Sequence, residues 1–98
     1  MTEFEKLSNW LTMNGYKVKE VHNEMMVLGQ DYSQHRIDVY NNDGERVWDA
    51  ICQRGSYGFD HGLLEVMGSY ILGNDDVEGW LTADDVIEML KKAEGNAE

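Results

Sequence analysis

With 98 residues and a formal net charge of −11, the chain is sized for a single domain, 1–98, and is too acidic to be expected to bind nucleic acid or an anionic membrane directly. A hydrophobic fraction of 42% with 10% aromatics is that of a globular protein and argues against intrinsic disorder. The lone Cys52 excludes an internal disulfide framework, and no run approaches the ~20 apolar residues needed to span a membrane.

In chain order, Thr2 and Glu5 have the spacing of a capping box, and Phe4, Leu7 and Leu11 recur at helical spacing. They predict a helix over residues 3–13, stopped at Asn14-Gly15 because glycine adopts the left-handed conformation without penalty. Residues 16–22 and 25–28 follow as short strand candidates. Residues 35–40 alternate, with Ile37 and Val39 on one face, and lead into Asn41-Asn42-Asp43-Gly44, a strong hairpin signal. The return strand is expected over 46–53, paired antiparallel with its predecessor. After the Gly55–Gly58 loop, Leu63, Leu64, Met67, Tyr70 and Ile71 mark a helical stripe and predict a helix over 61–71. A polar acidic loop comes next. Thr82 then caps a last helix, with Asp85 at its third position and Leu81 and Val86 placed as a hydrophobic staple. Residues 94–98 are expected to fray. The order α-β-β-β-β-α-α predicts an α+β fold, a three- to four-stranded antiparallel sheet with three helices on one face.

Charge is the strongest functional signal. No lysine or arginine lies between Arg54 and Lys91, and from Asp60 onward ten acids face only Lys91 and Lys92. A field so localised attracts basic surfaces and repels polyanions. Asp75, Asp76 and Glu78, in the acidic loop with Trp80 beside them, are the expected contacts for a basic protein partner. Asp84 and Asp85 join them less securely, because a helix N-terminus already favours carboxylates.

The same stretch can be aligned with a twelve-residue calcium loop. Gly79 takes the sixth position, Asn74, Asp76 and Glu78 the first, third and fifth, and Asp85 the last. Asn in first place, the longer Glu in fifth and the shorter Asp in last depart from that pattern. Simple capping of the last helix by Thr82, Asp84 and Asp85 is the rival reading. Other constellations are weaker. The loop Gln53–Gly58 lacks both phosphate-binding fingerprints, and Cys52 alternates with Trp48 and Ala50 as a buried strand thiol would. His22, His35 and His61 show no paired metal spacing, so zinc is not expected. No cofactor and no enzymatic activity are expected.

The segments Asp49–Gly58, Gly62–Gly68 and Gly79–Ile87 resemble small uncharacterised proteins of phages and prophages in Gram-positive bacteria. That resemblance carries no activity with it. It implies a mobile-element context and the cytoplasm of a bacterial host. There, small acidic proteins are often inhibitors of host defence or of nucleic-acid enzymes, anti-CRISPR-like proteins and DNA mimics among them. The expectation is therefore a non-enzymatic protein that binds a basic partner. Calcium binding and an acidic surface serving solubility alone are the alternatives.

Overall fold

The computed structural model describes residues 1–95. Helix α1 (Glu3–Met13) opens with the expected capping box: the Thr2 hydroxyl accepts from the Glu5 amide, and the Glu5 carboxylate accepts from the Thr2 amide. Strands β1 (Lys17–Asn23), β4 (Gln34–Tyr40), β5 (Arg46–Ile51), β6 (Leu64–Met67) and β7 (Val77–Leu81) form one antiparallel sheet in the order β1-β4-β5-β6-β7. Between β1 and β4 the chain makes a separate two-stranded hairpin, β2 (Met26–Val27) with β3 (Gln30–Asp31). The fold is α+β, as the pattern predicts, with more strands than the expected three or four.

The β4–β5 hairpin is the centre of the sheet. Asn41 Oδ1 accepts from the amides of Asp43 and Glu45, and Gly44 supplies the left-handed residue at φ 82°. Ile37 lies opposite Ala50 and Val39 opposite Trp48, so each pair projects to the same face. Together with Leu64 and Val66 of β6 they bury against Phe4, Leu7 and Leu11 of α1 and Ala83, Val86 and Leu90 of helix α3 (Ala83–Gly95). Trp48 is the largest fully buried side chain.

The region expected as a helix over 61–71 is instead three elements. A single 3-10 turn (Phe59–His61) leads into strand β6, and the short helix α2 (Ser69–Leu72) follows. The cause is glycine. Gly62 (φ 69°) and Gly68 (φ 136°) both have positive φ, which a continuous right-handed helix excludes. At Gly68 a side chain has no room either: a Cβ would lie 2.6 Å from Cα of Trp48. The helical stripe misleads because Leu64 and Val66 also fit an alternating pattern with Glu65 between them.

The acidic loop is the second correction. Its second half is β7, an edge strand that pairs only with β6. A register shift places Leu64 opposite Leu81 but Val66 opposite Glu78, which leaves one extra residue in β7. That bulge at Gly79-Trp80 breaks the apolar alternation by which strands are recognised. At the far end, α3 continues past Ala93 where fraying was expected. The Glu94 carboxylate accepts from the hydroxyls of Tyr16 (2.5 Å) and Tyr70 (3.3 Å). Residues 96–98 of that expected tail lie outside the described residues.

Candidate functional site

Trp80 is the most unusual residue of the acidic region. Its φ is +60°, a left-handed conformation that costs a bulky L-residue roughly 1–2 kcal/mol, and its side chain is 57% exposed. The surrounding chain holds it there. The Trp80 amide donates to the Tyr57 carbonyl (3.3 Å), and the indole lies 5.5 Å from the His61 ring. Gly79 sits so close to Tyr57 that a Cβ would meet the tyrosine Cβ at 2.3 Å; at Gly58 it would lie 3.1 Å from Cα of Trp80. Two missing side chains thus let the Tyr57–Gly58 turn lean on the bulge and fix the indole outward. A cleft of about 280 Å³, lined by Arg54 to Asp60 and by Trp80, runs alongside.

This end of the molecule is continuous with the β2–β3 hairpin. The Arg54 Nε–H donates to the Asp31 carbonyl (2.8 Å), and its guanidinium lies 5.0 Å from the Tyr32 ring and 5.9 Å from that of Phe59. Arg54 therefore ties hairpin to loop and is not held ready for a phosphate. At the hairpin tip Leu28 (φ 50°) and Gly29 (φ 78°) make the two left-handed positions of a tight turn, and Leu28 is 99% exposed. Met25, Met26, Val27, Tyr32, Tyr57 and Trp80 are exposed as well. Sequence reasoning singled out Trp80 but missed the hairpin members of this apolar set, because Met25–Leu28 reads as an ordinary strand.

The predicted acidic residues fall into two groups along β7. Asp75 and Asp76 precede the strand, where the Asp76 amide donates to Asn74 Oδ1 (2.9 Å) and turns the chain into it. Glu78 lies at the edge beside Met89 and Lys92 of α3. Asp84 and Asp85 follow the strand in the first turn of α3. Asp85 is committed to capping: its carboxylate accepts from the Thr82 amide (3.0 Å), and its own amide donates to the Thr82 hydroxyl (3.1 Å). The Glu3 carboxylate of α1 caps the same turn at the Ala83 amide (2.8 Å). Three residues of strand, a span of roughly 13 Å over four residue steps, separate Asp76 from Trp80, so these are opposite ends of one edge and not a single cluster. Among the described residues, Asp75, Asp76 and Glu78 make no ion pair.

The calcium-loop alignment does not match this geometry. A loop that wraps an ion cannot also run as a strand through Glu78, Gly79, Trp80 and Leu81, and its expected final ligand, Asp85, caps α3. Asn74, Asp76, Glu78 and Asp85 are spread along the strand and its ends. No group of three or more His, Cys, Asp or Glu side chains among the described residues is placed to hold a metal.

The opposite face of the sheet carries its own charges. Asp38, 3% exposed, accepts two hydrogen bonds from Arg36 (2.8 and 3.1 Å) and lies 3.5 Å from Arg46. Asp49 stands directly across from Asp38, and burial holds its carboxyl above the usual range, with the Asp38 charge adding to the effect. Cys52 is half-buried, and burial pushes its thiol up, away from the reactive thiolate. No family model, curated protein or solved structure matches the chain. Among the described residues, no helix is long and apolar enough to cross a membrane.

Proposed function

We propose that this chain is a non-enzymatic binding protein that docks a basic protein partner along the β7 edge, with Trp80 as the apolar anchor. The observation that carries the reading is Trp80 itself, a large aromatic kept outward in a costly backbone conformation where Gly58 packs against its backbone and Gly79 packs against Tyr57. Exposed tryptophans are disproportionately the anchors of interfaces, and a free strand edge offers backbone groups to an incoming strand. Asp75, Asp76 and Glu78 at one end, with Asp84 at the other, supply a field that steers a basic surface in. In the phage setting that the sequence resemblance implies, a host or defence protein that itself binds nucleic acid has the required charge. Inhibition in the manner of an anti-CRISPR protein or a DNA mimic is then the natural consequence.

The test is capture from host lysate at low and high salt, followed by kinetics on the partner found. Trp80→Ala should speed dissociation at least tenfold, as loss of an anchor does. The triple variant Asp75→Asn, Asp76→Asn, Glu78→Gln should slow association, and that difference should shrink as the Debye length falls below about 8–10 Å. A partner that binds both variants with the parent's kinetics at low salt refutes the proposal and leaves the acids a role in solubility.

A further inference from the structure

We infer that His22 and His35 form a chelating site for a divalent transition ion of the zinc class, with Glu20 as its positioning carboxylate. Twelve residues separate the two histidines, so no sequence spacing betrays them. The antiparallel β1–β4 register places them directly opposite each other on the helix-covered face. Their Nδ1 atoms face each other at 2.8 Å. On the far side of the His22 ring, Nε2 lies 2.8 Å from a Glu20 carboxylate oxygen, and the other Glu20 oxygen accepts from the Ser8 hydroxyl.

With both rings neutral, these contacts set the tautomers. The carboxylate only accepts, so His22 Nε2 carries a proton, and in the neutral ring Nδ1 is the lone-pair nitrogen. Two Nδ1 atoms at 2.8 Å then have a single proton between them, donated by His35. A metal ion can take the place of that proton. The His35 ring compensates by moving its proton from Nδ1 to Nε2 through solvent, so both rings stay neutral and both present a lone pair to the ion. Zinc–nitrogen bonds of about 2.0–2.1 Å in tetrahedral geometry set the two nitrogens about 3.3 Å apart. The pair must open by only about half an ångström to reach that, and both rings are partly exposed.

The surroundings fit a metal as well. A carboxylate on the outer nitrogen of a ligating imidazole orients the ring and raises its basicity. The Phe4 ring stands edge-on to both imidazoles, 5.4 Å from His22 and 6.1 Å from His35, and supplies an apolar wall. Both histidines line an apolar cleft of about 380 Å³. Glu5 and Cys52, the next residue in the cross-strand row, also line it, but among the described residues no group of three His, Cys, Asp or Glu side chains is placed to hold an ion. The site is thus a two-histidine chelate whose remaining positions are open to water.

Zinc titration of the full chain tests this by calorimetry and by thermal melting. A Cys52→Ser background removes adventitious binding to the thiol. One ion should bind per chain, with a saturable rise in melting temperature. His22→Gln and His35→Gln should each abolish both signals, while His61→Gln should leave them intact. Glu20→Gln keeps both ligands and should weaken binding about tenfold. It also guards against a histidine variant that merely fails to fold. Absence of a saturable rise up to millimolar zinc, or binding that survives in His22→Gln or disappears in His61→Gln, overturns the inference.

Discussion

Gly68→Ala gives opposite signs for the two structures that the 61–71 segment suggests. In a continuous helix, alanine would replace an interior glycine and raise stability by roughly 0.5–1 kcal/mol. In the strand–glycine–helix arrangement, residue 68 has φ 136° and ψ 132°, a region that side chains avoid, with strain of order 1–3 kcal/mol. The new Cβ would also lie 2.6 Å from both Cα and Cβ of Trp48 and 2.7 Å from the Val47 carbonyl oxygen. These are backbone and buried core atoms that cannot swing aside, and overpacking of that kind costs about 1–3 kcal/mol. The sum, about 2–6 kcal/mol, is a large part of the roughly 5–15 kcal/mol that holds a domain of this size together. At about 4–8 °C per kcal/mol the melting temperature should fall by at least about 8 °C. Urea denaturation followed by tryptophan fluorescence, with Trp48 buried against Gly68, reads the change. Gly55→Ala is the control: its φ is 94° but nothing lies within 4 Å of the new Cβ, so it bears the strain without the clash. A Gly68→Ala protein as stable as the parent, or more so, refutes the β6–α2 arrangement.

Thr82→Ala removes the acceptor of the Asp85 amide at the start of α3 and should cost about 1 kcal/mol in denaturant titrations. Asp49→Asn should stabilise at neutral pH by about 0.2–1 kcal/mol, because it removes a partly buried charge that faces the like charge of Asp38, effects that the neighbouring Arg46 offsets only in part. Burial raises the folded-state pKa of Asp49 above its unfolded value, so the protonated form favours folding. The advantage of Asp49→Asn should therefore be full above the folded pKa and vanish as pH falls through it, which paired melts across that range will show. Glu20, held below the usual carboxylate range first by the Ser8 hydroxyl and then by His22, behaves oppositely. Its contribution is present above the unfolded pKa and lost as pH falls through the folded one, so the Glu20→Gln penalty should disappear in acid.

The parts legible in the sequence are those where local chemistry and tertiary structure agree. The Thr2–Glu5 and Thr82–Asp85 caps, the apolar stripes of α1 and α3, and the Asn41–Gly44 turn each use residues whose local preference is also their structural role. Two segments are not legible in the sequence, each for its own reason. Leu63, Leu64, Met67 and Ile71 fit a helix, and only the positive φ of Gly62 and Gly68 rules it out. Val77–Leu81 hides as a loop because an edge strand buries little and the bulge at Trp80 disrupts its period. The acids were visible from composition, but their separation onto two ends of one strand was not. The histidine pair was invisible for a different reason: its geometry comes from the β1–β4 register, a non-local pairing on which sequence spacing is silent.

The two edges of the sheet are guarded differently, and that difference picks the docking side. Strand edges invite pairing with other chains, and lysines or bulges blunt them. β1 carries Lys17 and Lys19 along its free edge and contacts α1, so a basic partner meets repulsion there. β7 has no lysine; it contacts α3, and the bulge at Gly79-Trp80 turns the indole outward. Val77, exposed at the start of the strand, is therefore the position at which one substitution should close the edge. Val77→Lys leaves the backbone hydrogen bonds to β6 intact and, as an exposed change, should move stability by no more than about 0.5 kcal/mol. It places a positive charge between the acids at the two ends of the strand. Partner binding by Val77→Lys should weaken at least tenfold at low salt, whereas Lys19→Glu on the opposite edge should leave it unchanged. A partner that is lost with Lys19→Glu and retained with Val77→Lys docks on β1, and the assignment of the interface to Trp80 and its strand is then wrong.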